Sequence, residues 1–119
     1  EELDLSGYGL RELPPSIVKL TKLKKLRLAR NFLTALPDLR PLQRLEVLEL
    51  QANQLRELPE GIGQLKNLRI LDLCGNQLQR LPDELRALPS LRRLVVGGNL
   101  FDERSLWGFP PRVLRRSRA

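Results

Sequence analysis

The chain has 119 residues, with 21 lysines and arginines against 14 acids, for a net charge of +7. That length suits one domain. Histidine is absent and Cys74 is the only cysteine. The commonest general base and metal ligand are therefore missing, and no internal disulfide can form. The apolar runs are too short for a membrane span, and nothing reads as a signal peptide.

In chain order, one leucine lattice recurs five times. Its fourth-position leucines are Leu3, Leu26, Leu48, Leu71 and Leu94, at steps of 23, 22, 23 and 23 residues. The first repeat runs through Leu5, Leu10, Leu13, Pro14, Ile17 and Leu20. Where the others carry asparagine it has Tyr8, as atypical terminal repeats do. The second repeat runs from Leu23 to Leu42 and is one residue short after Pro37; the third runs from Leu45 to Leu65, and the fourth from Leu68 to Leu88. The fifth begins with Leu91, Leu94, Val96, Asn99 and Phe101 and then loses the pattern.

Each L-x-L core predicts a short parallel strand, since alternation sends both leucines inward. Asn31, Asn53, Asn76 and Asn99 predict a ladder of side chains satisfying backbone groups at the turns. The L-P-x-x-Ile/Leu-x-x-Leu half predicts single turns of α or 3-10 helix, weakened by Gly61 and Gly63 in the third repeat. Residues 102–106 suit one more turn. Trp107, Phe109, Val113 and Leu114 read as a cap over the last repeat, followed by a disordered basic tail over 115–119. The expected division is a repeat domain at 1–104 and a cap with basic tail at 105–119.

A period in the twenties with the phrase L-x-x-L-x-L-x-x-N-x-L-x-x-L-P is the signature of a leucine-rich repeat solenoid, here of about five repeats and of α/β class. The chain resembles the intracellular leucine-rich repeat proteins of the Ras-suppressor, Scribble and Erbin type over residues 1 to about 101. Its 22-residue second repeat is similar to the shorter class in a protein-phosphatase-1 regulatory subunit. The resemblance implies a non-enzymatic scaffold whose partners dock on the concave sheet. Extracellular members carry cysteine-clustered caps, which this sequence lacks, so the resemblance implies an intracellular, cytoplasmic protein. With no methionine, the sequence reads as a fragment, a processed form or one with an unseen start.

The rows pointing away from the leucine core are the candidate binding surface. The third row is Glu2, Lys25, Val47, Ile70 and Arg93; the fifth is Asp4, Arg27, Glu49, Asp72 and Val95. The seventh is Ser6, Ala29, Gln51, Cys74 and Gly97; the eighth is Gly7, Arg30, Ala52, Gly75 and Gly98. Register sets Asp4 beside Arg27 and Arg27 beside Glu49, so cross-strand pairing competes with a binding role. Val47, Ile70 and Val95 form an expected exposed apolar patch over small neighbours. Lys25, Arg27, Arg30, Val47, Glu49, Gln51, Ile70, Asp72, Cys74, Arg93 and Val95 are therefore the candidate partner-binding residues. For lone Cys74, space-filling competes with redox sensitivity. Phe32 and Leu100, after the asparagines, fall on a row expected to be exposed.

Residues 19–44 hold eight basic residues against Asp38 alone. This surface suggests a second class of function, a basic component of a nucleic-acid or ribonucleoprotein assembly. The sheet rows carry no aromatic to stack a base, so weak, non-specific nucleic-acid binding is expected from charge alone. No phosphate loop, nucleophile–base pair or metal cluster is visible, so no catalytic residue and no cofactor is expected. The expectation is a protein partner, with the chain a monomer or part of a larger complex.

Overall fold

A computed structural model describes residues 1–117. Its strands are β1 (Glu2–Asp4), β2 (Lys25–Arg27), β3 (Val47–Glu49), β4 (Ile70–Asp72), β5 (Arg93–Val95) and β6 (Leu114–Arg115). They form one parallel sheet in chain order. Leu3, Leu26, Leu48, Leu71 and Leu94 stand in register across β1 to β5. The repeat step thus sets the register, because any slip would expose the leucine row. The molecule is a leucine-rich repeat solenoid with the sheet on its concave side.

Behind the sheet the helical turns among the described residues are all 3-10, at Pro15–Lys19, Ile62–Gln64, Asp83–Ala87 and Glu103–Leu106. The second repeat, with its deletion, has none. In the third, the turn shrinks to three residues and Gly61 precedes it in the left-handed region. The core is the continuous leucine ribbon, with Leu26, Leu48, Leu71 and Leu94 fully enclosed. Leu3, Leu5 and Leu10 are only half-buried, because β1 has a neighbour on one side alone.

The asparagines form the expected ladder. Asn53 Nδ2 donates to the carbonyls of Leu28 (2.9 Å) and Leu50 (3.1 Å), while its Oδ1 accepts from Leu33 N (3.0 Å). Asn76 does the same with Leu50, Leu73 and Leu55. Asn99 repeats it with Leu73, Val96 and Leu78. Each side chain bonds three backbone groups, and the carbonyls of Leu28, Leu50 and Leu73 are each shared by two successive asparagines. Tyr8 takes no such role; its amide instead donates to Asn31 Oδ1 (3.1 Å).

The C-terminal segment departs from expectation at two points. Arg115 belongs to β6, opposite Val95, so the tail expected from 115 does not begin there. Arg116 also donates to Glu103 through both terminal guanidinium nitrogens. Arg118 and Ala119 lie outside the described residues. Trp107, expected to cover the last repeat, is 66% exposed; Leu106 and Val113 are buried in its place. The reason is Arg86, which donates to the carbonyls of Trp107 and Ser105 and lies 4.9 Å from the centre of the Phe109 ring. That anchoring holds the backbone of 105–109 while the indole projects outward.

Candidate functional site

Three-residue strands leave two side chains each on the concave face, one before and one after the buried leucine. The third and fifth rows are therefore aligned across five strands. Val47 faces Ile70 across β3 and β4, and both are half-exposed. Lys25, Arg27, Glu49, Cys74 and Arg93 are also half-exposed, and Arg30 is exposed. Three candidates are not on open surface: Val95 is 1% exposed, Asp72 5% and Gln51 6%. The expected apolar patch thus reduces to Val47 and Ile70. Val95 is enclosed because β6 adds a strand beside it, which the lattice did not announce.

The concave charges neutralise one another. Arg27 reaches Glu2 at 3.0 Å and Glu49 at 3.5 Å, and Lys25 reaches Glu2 at 3.2 Å. Arg27 therefore takes diagonal Glu2 rather than the in-register Asp4 as its first partner. Hydrogen bonds from Lys25 and Arg27 hold the Glu2 carboxyl below its usual range. The Asp4 carboxyl is lowered chiefly by the Ser6 amide, which donates to its Oδ1. Cys74 is held in its turn through its amide, which donates to Asp72 Oδ1.

Gln51 is the polar exception. Its Oε1 is buried without a hydrogen-bond partner among the described residues. An unsatisfied buried acceptor costs about 1–3 kcal/mol. The side chain sits on the seventh row, after the Val47–Ile70 pair and before the asparagine ladder.

The eighth row holds a feature that residue type did not show. Gly7, Arg30, Ala52, Gly75 and Gly98 all have positive φ, at 75°, 56°, 59°, 71° and 67°. The turn into each asparagine demands the left-handed conformation at this place. Glycine meets it freely, whereas Arg30 and Ala52 meet it with strain. Phe32 and Leu100 are exposed as expected, and Tyr8 is also exposed. No group of three His, Cys, Asp or Glu side chains is placed to hold a metal among the described residues. No helix among them is long and apolar enough to cross a membrane.

Residues 43–101 match the family described as Leucine rich repeat. A mouse protein, leucine-rich repeat and calponin homology domain-containing protein 1, is 46% identical over 66 residues. That match covers 56% of this chain and 9% of the mouse protein. The fold is similar to a chain of the Drosophila melanogaster SNF/U2A′ complex, with a TM-score of 0.76 and 27% identity over 98% of this chain and 75% of that one. It is also similar to the ectodomain of the Arabidopsis thaliana receptor kinase SOBIR1, with a TM-score of 0.75 and 32% identity over 95% of this chain and 71% of that one.

Proposed function

Given that this chain is a leucine-rich repeat protein, we propose that it is a protein-binding scaffold that docks its partner on the concave sheet. The observation that carries the reading is the pair Val47 and Ile70. They are adjacent apolar side chains, half-exposed at the middle of the sheet and bordered by ion-paired charges. Such a small apolar centre inside a polar rim has the layout of a binding hot spot. The unpartnered Gln51 acceptor beside it supports the same reading. The paired charges around the centre favour specificity over strong attraction, since a partner must match them or leave them paired. Lys25, Arg27, Arg30, Glu49 and Arg93 form the rim of the proposed site. Gln51, Asp72, Cys74 and Val95 line its floor.

One of the similar folds was solved as part of a complex, in keeping with a role in assembly. Such a scaffold, of the Ras-suppressor, Scribble and Erbin type, performs no catalysis and acts in the cytoplasm. The test is affinity capture on the immobilised chain, run with and without nuclease and repeated with Ile70→Glu. Proteins retained through nuclease treatment and lost with Ile70→Glu are the expected result. Capture that disappears with nuclease would replace the scaffold with a ribonucleoprotein component.

A further inference from the structure

A set of exposed cations lies along one edge of the sheet, where the strands start. The residue before each strand stacks backbone to backbone on the repeat before it. Lys24 N donates to Glu1 O (2.9 Å), Glu46 N to Lys24 O (2.7 Å), Arg69 N to Glu46 O (2.8 Å) and Arg92 N to Arg69 O (2.9 Å). The side chains of this row therefore line up along the edge where the strands start. Lys22, Arg44 and Lys66 lie just upstream in successive repeats, and Arg112 follows beyond β5. All are exposed.

Their pairing differs from that of the concave face. Arg69 has a distant partner, Glu46, at 3.8 Å. Lys22, Lys24, Arg44, Lys66, Arg92 and Arg112 have no ion-pair partner among the described residues. Neighbouring strands are about 4.8 Å apart, so the cations at the starts of β2 to β6 spread along roughly 19 Å. The step from one strand to the next is inside the Debye length of about 8–10 Å at physiological salt, so the fields of neighbouring cations overlap along the edge. At the β6 end the row runs into a cleft whose lining includes Leu88, Leu91, Arg92, Pro110 and Arg112.

The geometry points to this strand-start edge as a docking surface for an extended acidic segment of a protein partner. The segment lays its carboxylates along Lys22, Lys24, Arg44, Lys66, Arg69 and Arg92. An apolar side chain enters the cleft between Arg92 and Arg112. Carboxylates on one side of an extended chain recur about every 6.6–6.8 Å, a spacing that flexible lysines and arginines follow. A nucleic-acid strand fits less well. Single strands bind on aromatic platforms, and none of the edge residues is aromatic. The exposed Tyr8 and Phe32 follow the strands, on the opposite edge, and Trp107 sits in the cap next to Arg86. A phosphate backbone also has no group for the apolar cleft.

The surface is separate from the concave centre, so its failure leaves the scaffold reading standing. The test is fluorescence anisotropy with two labelled probes of matched charge. One is a peptide of about twelve residues, alternating aspartate and glutamate and ending in leucine; the other is an oligouridylate. The protein is compared with Lys24→Glu/Arg69→Glu/Arg92→Glu, with the single variants Lys24→Glu and Arg92→Glu, and with Ile70→Glu, each checked by a melting curve. The expected result is tighter binding of the peptide than of the oligonucleotide. Peptide affinity falls about tenfold or more in the triple variant. It falls by a smaller factor in each single variant and stays within about twofold of the parent in Ile70→Glu. If the triple variant melts early, the single variants decide. Tighter binding of the oligonucleotide through the same residues would overturn the acidic-segment assignment in favour of a nucleic-acid edge. No peptide binding, or binding indifferent to these substitutions, would overturn the edge itself.

Discussion

Asparagine at the turn is the residue on which the stacking depends. Asn53 holds two carbonyls and one amide of buried backbone. Replacing it with alanine takes the acceptor from the Leu33 amide, while the Leu28 and Leu50 carbonyls keep Asn31 and Asn76, so Asn53→Ala should cost about 1–3 kcal/mol. A denaturant titration measures this; a loss under 1 kcal/mol would mean that water or relaxed turns replace the amide. One residue earlier, the left-handed row gives a paired prediction. Gly75→Ala forces an alanine to φ 71° and should destabilise by about 1–2 kcal/mol. Ala52→Gly relieves the same strain at the cost of unfolded-chain entropy, and should be neutral or stabilising by up to about 1 kcal/mol. Opposite signs in thermal melts support the assignment. The asparagines were legible in the sequence because their type announces the bond. The left-handed row was not, because Arg30 and Ala52 conceal what Gly7, Gly75 and Gly98 suggest.

Among the elements, β6 and the segment around it close the solenoid. A Cβ on Gly97 would stand 1.7 Å from the Arg116 carbonyl oxygen, so only glycine lets the closing chain lie against β5. Arg86 ties the other side, through Ser105, Trp107 and Phe109. Leu106→Ala should therefore cost about 2–5 kcal/mol, whereas Trp107→Ala, at an exposed site, should change stability by about 0.5 kcal/mol or less. Removing residues 115–119 should lower the melting temperature, since it takes away half of β6 and the Arg116–Glu103 bond. The Glu103 carboxyl is held below its usual value of 4.5 by the hydrogen bond from Arg116. Its folded pKa is depressed, so its contribution is present above pH 4.5 and is lost as pH falls through the lower folded value. Glu103→Gln should remove that part of the acid sensitivity, as read from melts between pH 5 and pH 3. An unchanged profile would place the acid sensitivity elsewhere. This segment was only partly legible. Glu103–Leu106 announced a turn, but Val113-Leu114-Arg115 lacks the L-x-L signature of a strand. The Arg86 contacts join residues about 20 apart with no periodic signal.

At the scale of the whole molecule, leucine spacing settled the architecture because a 23-residue step permits one register for five strands. Surface rows followed from register, and with them most of the candidate site. Burial within those rows did not follow, because it depends on what lies beside each strand: Val95 is closed by β6, and Arg27 chooses Glu2 over Asp4. The surface that results has a nearly neutral, apolar-centred sheet and a cationic edge beside it. The most direct test of the sheet as the binding face is a calorimetric titration of the captured protein partner into the parent chain, Val47→Glu and Ile70→Glu, each with its own melting curve. Normal melts and binding weaker by at least about 1–2 kcal/mol are expected in both variants. Unchanged titrations with normal melts would contradict that expectation and move the partner off the concave sheet.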